Sequence, residues 1–413
     1  MGFEGFYKLT VAKRRKKLQE AGLLSKEDAA LLENSLKTDV ADKMAENVLG
    51  TFQMPYSIAV NFKINGKEMA IPMVTEEPSV VAAASNGAKL CLPEGFTASS
   101  TPPLMIGQIQ LVNVPDPIKA KEMVLKQKNR LVEKATDNDS MLVKLGGGPR
   151  FLQARVLETK RGKMLIVEII VDVRDAMGAN AINTLCEKLA PELEKITGGK
   201  AKLRILSNLS VHRIAKASAV WKKETIGEET IEGILDAYEF AVNDQFRATT
   251  NNKGIMNGVD AVCIATGNDA RACEAACHSF ASWVGKGKYL PLARYSKNKD
   301  GDLLGEIDLP LAVGIIGGST KTHPLAQLSL KILGVKTSQE LAEIMACVGL
   351  SNNFAALRAL STEGIQRGHM ELHARNVAIA AGAKGKAIDE VAGQLAKEKN
   401  VRLERARELL GKK

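Results

Sequence analysis

The sequence predicts an α+β protein: a large mixed α/β domain interrupted by a small ferredoxin-like βαββαβ unit and followed by a helical C-terminal flap. Three observations predict it. Between 104 and 207, apolar spacing runs extended, helical, extended, extended, helical, extended. The stretches on either side, 1–103 and 208–360, both mix helical patterns with extended ones, as expected of one larger domain split by an insertion. From 361 to 413 the pattern is helical and ends in charged residues.

Each element of the small unit has its own signal. "LMIGQIQLVNV" (104–114) reads as a strand and "DPIKAKEMVLKQKNRLVEKA" (116–135) as one helix. A turn region ends in Gly146, Gly147 and Gly148. "RFLQARVLET" and "KMLIVEIIVDV" pair across a Lys-Arg-Gly-Lys turn. "AMGANAINTLCEKLAPELEKITGG" is a helix stopped by two glycines, and "KAKLRILS" closes the unit as a strand. Beyond it, "ETIEGILDAYEFAVNDQF", "DARACEAACHSFASWV" and "SQELAEIMACVGL" read as helices, with a hairpin around "SKNKDGDLLGEIDLPLAVGII". The Gly/Asn-rich run "NNKGIMNGVDAVCIATGND" (251–269) reads as a buried strand-like segment with solvated ends, or as a catalytic stretch opened by Lys253 and closed by Asp269.

Composition narrows the function. The 413 residues are 45% hydrophobic and 25% charged, enough for two or three domains with ordinary cores. No apolar run is as long as a membrane span, and the N-terminus lacks the apolar core of a signal peptide. Six scattered cysteines do not form a disulfide framework, so a cytoplasmic protein is expected. The net charge of +10 invites nucleic acid, but only 4% of residues are aromatic and no nucleic-acid-binding signature is present. Lys13–Lys17 is a solvated helix face, or attracts a phosphorylated small molecule.

Several stretches can carry chemistry. Glu76 and Glu77 precede Pro78 and Ser79 at a helix start, where they either complement the helix dipole or serve as an acid–base group. Asp175 caps a helix whose first residues are small, a plain N-cap or a pyrophosphate site. Asn208 closes the unit's last strand, and Arg247 lies where a guanidinium can clamp a carboxylate. His212 and His323 sit near loop signals. Cys273, Cys277 and His278 share a helix but lack a second ligand pair, so no metal is expected. His369 and His373 lie four apart without the HExxH order, and a general acid on the C-terminal flap suits them better than zinc.

Taken in order, "ENVLGTFQMP", "TEEPSVVAAAS", "DAMGAN", "NNKGIMNG", "ATGND" and "EGIQRGHMELHARN" resemble hydroxymethylglutaryl-CoA reductases of the second class, from archaea and some bacteria. The resemblance spans nearly the whole chain, and no membrane-anchor region precedes it, as in the soluble members. It implies that Glu77, Lys253, Asp269 and His369 are catalytic, with Asp269 beside the lysine. It implies that Ser79, Asn208, Arg247 and Asn257 contact the hydroxymethylglutaryl group. Asp139, Asp175, Ala176, Met177, Gly178 and Asn180 would hold the dinucleotide, making 104–207 the NAD(P)-binding domain. Asp139 would face the adenosine ribose and favour NADH over NADPH. Departures occur at Pro149-Arg150-Phe151 and at Asn251, where related members often carry histidine.

The activity implied is reduction of 3-hydroxy-3-methylglutaryl-CoA to mevalonate and CoA with two NAD(P)H, in the mevalonate pathway to isoprenoids. Lys8 and the basic cluster would attract the CoA phosphates. The resemblance also implies a homodimer with active sites between subunits, gathered into larger assemblies such as a hexamer. The same residues serve oxidation of mevalonate for catabolism. A non-catalytic CoA- or nucleic-acid-binding protein on this scaffold is the remaining alternative, opposed by retention of all four charged residues.

Overall fold

The computed structural model describes residues 3–33, 36–137, 139–362, 365–398 and 400–411, except the side chains of 365–372. Among them, ten strands run in chain order: β1 (Tyr56–Ile64), β2 (Lys67–Val74), β3 (Phe96–Ser100), β4 (Leu104–Val112), β5 (Gly148–Thr159), β6 (Gly162–Asp172), β7 (Lys200–Ser207), β8 (Ile214–Trp221), β9 (Ala293–Lys297) and β10 (Leu303–Pro310). They form a six-stranded sheet in the order β2-β1-β3-β8-β10-β9 and a four-stranded sheet in the order β5-β6-β4-β7.

The small sheet is antiparallel throughout, with β4 between β6 and β7. With helices after its first and third strands, this is the ferredoxin-like arrangement. Alternate residues of β4 and β6 (Met105, Ile109, Leu111, Leu165, Val167, Ile169) are buried against Val124, Leu131, Ile182 and Leu189 of the covering helices. The first covering helix is not continuous. It breaks at Gln127 into Pro117–Lys126 and Lys128–Ala135, and each half keeps buried residues on the sheet.

The large sheet is built from both sides of this unit. β3 pairs with β8 in antiparallel register, Phe96 opposite Ala219, so chain before 104 and after 207 shares one sheet. Its core surrounds the long helix Ser338–Ser361, which is buried on nearly all faces. Trp221 stacks on Phe354 of that helix with ring centroids 3.9 Å apart. Trp221 Nε1 donates to the Gly87 carbonyl of helix Val80–Leu90 at 3.0 Å, tying strand and both helices together.

Two segments differ from the sequence expectation. The run 251–269 is no strand: helix Gln245–Ala265 spans most of it, and Asn268 and Asp269 lead into helix Ala270–Val284. The preceding helix ends at Asn243, and Asp244 starts a new one by accepting from Arg247 N at 2.7 Å. At the C-terminus, helices Ile365–Ala380, Lys386–Lys397 and Leu403–Leu409 share a small core of their own, including Ala374, Ala378, Val391, Leu395 and Ala406. Among the described residues, no helix is long and apolar enough to cross a membrane.

Candidate active site

The fold brings Glu77 and Lys253 together across 176 positions of chain. Lys253 Nζ donates to Glu77 Oε2 at 2.6 Å, and Asn257 Nδ2, one helical turn on, donates to Oε1 at 3.5 Å. Glu77 is held in the turn before helix Val80–Leu90, with its backbone N donating to Thr75 Oγ1 at 3.1 Å. Ser79 follows in a left-handed conformation (φ 76°) as the N-cap residue, without a side-chain cap bond. The pair is open to solvent, with Lys253 58% and Glu77 36% exposed. An ion pair that open contributes little to stability, so folding does not account for its being here.

Asp269 is not Lys253's ion partner in the single chain. It is the N-cap of helix Ala270–Val284, accepting from Ala272 N at 3.1 Å, and it pairs with Arg271 Nε at 3.3 Å. Its carboxylate is committed to the helix start, and the lysine has taken Glu77 instead. Arg247 is half-buried, burial lowers its guanidinium pKa, and it has no ion-pair partner among the described residues. Asn208 is exposed in the loop after β7. His369 lies on helix Ile365–Ala380, but its side chain is outside the described residues.

The expected cap at Asp175 is corrected. The helix begins at Ala179, and its N-cap is Gly178 at φ 104°, where a Cβ would lie 2.5 Å from Val173 Cγ1. Asp175 instead accepts from Ser338 N at 2.8 Å, at the start of the long buried helix. Three turn residues separate Asp175 from the helix it was expected to cap. Arg213, buried, holds that turn by donating to the carbonyls of Ala176 and Met177 at 3.2 and 3.3 Å. Asn180 is exposed on the helix's first turn. Nearby, Asp172 at the end of β6 gathers two guanidiniums, Arg150 at 2.7 Å and Arg174 at 3.8 Å. Asp139 is exposed, with its backbone N on Asp137 Oδ1 at 3.2 Å.

Asn251 is buried, and Asn353 Nδ2 donates to its Oδ1 at 2.9 Å. Asn353 in turn accepts from Tyr295 at 2.9 Å, so the amide at 251 belongs to a core network.

One polar cluster went unnoticed in the sequence. Glu274 Oε2 meets His278 Nε2 at 2.6 Å, and His278 Nδ1 meets the Tyr289 hydroxyl at 2.5 Å. Asp260 hydrogen-bonds Glu274, and burial together with that neighbouring carboxylate pushes the Asp260 carboxyl up to about 8. The His278 hydrogen bond holds Glu274 below its usual range. The i, i+4 spacing of Glu274 and His278 was the available signal. Both ring nitrogens of His278 are engaged, and the Cys277 thiol points to the Pro310 carbonyl at 4.0 Å, so these groups do not converge on a metal.

A cavity of about 1620 Å³ lies between the N-terminal segment and helix Val80–Leu90. Its lining includes Phe3, Arg14, Arg15, Met54, Asn86 and Lys89, three of them cationic. Thr51–Met54 of "ENVLGTFQMP" also line it, as do Val81 and Ala82, which follow closely on Glu77.

Comparison with known proteins shows the family. The profile of the family described as hydroxymethylglutaryl-coenzyme A reductase matches residues 10–374. The chain is 57% identical over 409 residues to 3-hydroxy-3-methylglutaryl-coenzyme A reductase of Archaeoglobus fulgidus, covering 98% of this chain and 93% of that one. A probable reductase of Borreliella burgdorferi is 37% identical, over 91% and 86% of the two chains. The Streptococcus pneumoniae reductase structure superposes with a TM-score of 0.86 at 40% identity, over 100% and 99% of the chains. Its class II form bound to NADPH in open conformations gives 0.83, over 98% and 99%. A family match over most of the chain, close relatives of full length and a shared fold agree: the chain belongs to the hydroxymethylglutaryl-coenzyme A reductase family.

Proposed function

We propose that this protein reduces 3-hydroxy-3-methylglutaryl-CoA to mevalonate and CoA, with Lys253 and Glu77 at the centre of the reaction. The observation that carries the reading is the 2.6 Å contact between Lys253 Nζ and Glu77 Oε2, seconded by Asn257. Converting a thioester to a primary alcohol needs two reductions, and each builds negative charge on the substrate oxygen. A fixed ammonium facing that oxygen stabilises it. Lys253 fills this role, and Glu77, already hydrogen-bonded to it, passes a proton to the aldehyde oxygen. Asp269 is the site's second carboxylate. His369, carried on the C-terminal helices, protonates the departing CoA thiolate. The separate core of those helices suits a flap that closes over the open pair and excludes water.

A nicotinamide dinucleotide supplies the hydrides. The residues present fit one: the 19-residue helix Ala179–Thr197 presents its N-terminus beside the turn Asp175–Gly178, and Arg150 and Arg174 add positive charge at the end of β6. That charge suits a pyrophosphate. Asp139 is assigned to the adenosine ribose, where its carboxylate accepts from a 2′-hydroxyl and repels a 2′-phosphate, so NADH is preferred. Arg247, half-buried and without an ion-pair partner among the described residues, suits the substrate's terminal carboxylate, with Ser79 and Asn208 completing that subsite. The cavity lined by Arg14, Arg15 and Lys89 suits the CoA moiety with its phosphates. Exposed Leu49, Phe52, Phe246 and Trp283 suit burial in a homodimer, with dimers gathering into hexamers.

The test is direct. Purified protein given the CoA thioester should oxidise NADH, and kcat/KM for NADH should exceed that for NADPH. Asp139→Ala should narrow the ratio. No turnover with either cofactor by a folded sample would overturn the reductase reading. NADPH preference in the unmutated protein would overturn only the Asp139 assignment.

A further inference from the structure

One carboxyl close to the proposed site has no role in the chemistry above. On helix Gln245–Ala265, from Asn251 to Ile264, only Lys253, Gly254, Asn257, Asp260 and Ile264 escape full burial. Lys253, Asn257 and Asp260 fall at i, i+4 and i+7, on one face. Glu274 reaches Asp260 from the next helix and is itself bound to His278, which leads on to Tyr289. Asn252, back on the Lys253 helix, donates to the carbonyl of Leu290 beside Tyr289 at 2.9 Å. Asp260 Oδ1 is buried with no hydrogen-bond partner among the described residues. Two carboxyls at hydrogen-bond distance in a half-buried place hold one proton between them, because two charges there repel without water to screen them. The field of this pair reaches Lys253, which acts on Glu274.

We propose that Asp260 is a positioning residue: with Glu274 it holds one shared proton behind Lys253 and so limits to one the negative charge that this pair presents there. The proposal deepens the reductase reading and rests on it. When the shared proton leaves to solvent, a second negative charge appears. That charge favours the lysine ammonium but opposes the negative charge growing on the substrate oxygen, so reduction slows. The groups facing the pair are His278 on the Glu274 helix, Lys253 on the Asp260 helix and Tyr289 from the segment after it. The buried thiols of Cys263 and Cys277 also face it. The long helix Ser338–Ser361 meets this one at Gly258 through Val348 and Asn352, neither of which titrates.

The second reduction alone, started from the free aldehyde, isolates the effect because no CoA thiolate is protonated in it. Its kcat is measured from about pH 6 to 10 for the unmutated protein, Asp260→Asn and Glu274→Gln. Neither variant can place two negative charges behind Lys253. In both, the alkaline fall in kcat should move up by at least about one pH unit, with KM for the aldehyde within about twofold. Profiles that superpose on the unmutated one would overturn the proposal. If one variant fails to fold, the other carries the same test. A second measurement needs no turnover. The Asp260 13Cγ resonance, assigned by its loss in Asp260→Asn, should titrate well above the ordinary carboxylate range and move down in Glu274→Gln. An unchanged midpoint would refute the coupling even in a working reductase. Absence of aldehyde reduction by the unmutated protein would instead count against the reductase reading.

Discussion

Two glycines one turn apart on the Lys253 helix should respond oppositely to the same substitution. A Cβ at Gly258 would lie 2.7 Å from Asn352 Nδ2, 3.0 Å from the Val348 carbonyl and 3.1 Å from Val348 Cγ1. The carbonyl is backbone of the long buried helix, so only separation of the two helices relieves the clash. Alanine gains about 1 kcal/mol in helix propensity. Overpacking at a tight core contact costs about 1–3 kcal/mol. Gly258→Ala should therefore range from near neutral to about 2 kcal/mol less stable. At Gly254 nothing lies within 4 Å of the added Cβ, so Gly254→Ala keeps the propensity gain and stabilises by about 0.5–1 kcal/mol. Urea unfolding followed by far-UV circular dichroism separates the two. Activity should show a second contrast. Gly254 adjoins Lys253, so its methyl intrudes where substrate approaches and raises KM. Displacement of the helix at Gly258 moves Asn257 and lowers kcat. Equal stability gains in both variants would refute the close helix contact at Gly258.

Other expectations follow from single contacts. Lys253→Met should fold normally and lose at least about a hundredfold in kcat, because an oxyanion-stabilising donor is removed. Asp28, near-buried, joins the N-terminal segment to Lys331. Burial raises its carboxyl, but the Lys331 and Ser25 hydrogen bonds outweigh this and hold it below the usual value. Its stabilising contribution is thus present above the unfolded carboxylate pKa and lost as pH falls through the lower folded one. Asp28→Asn should flatten that acid loss in urea titrations and, by loosening a wall of the cationic cavity, raise KM for the CoA thioester severalfold. Asp260 has the opposite sign. Its folded carboxyl keeps a proton that the unfolded chain releases near pH 4. Native protein therefore binds more protons between there and about 8, and stability falls as pH rises across that window. Asp260→Asn should remove that slope, and an unchanged urea midpoint difference between pH 5 and 8 would contradict it.

The contrast between the small unit and the Lys253 helix shows what a sequence makes legible. β4 lies inside one sheet with helices on one face, so its apolar residues alternate and its period can be read without a structure. The helix Gln245–Ala265 is packed against several elements and buries Asn251, Asn252, Ile255, Met256, Val259 and Val262 together. A helix buried over most of its circumference has no apolar stripe, so its period is hidden. One glycine and four asparagines or threonines in its first half then imitate a turn. The pairing of Glu77 with Lys253 was reachable only through motif order, since nothing local links positions 176 apart. Asp260 was visible as the one charge inside an apolar run, but its meaning required Glu274 from the neighbouring helix. The helix that hid its period best is the one carrying Lys253, Asn257 and Asp260. The same packing explains both facts. Burial on most sides erases the amphipathic pattern, and it also leaves one narrow face where a lysine, an amide and a proton-sharing carboxyl are held in fixed register.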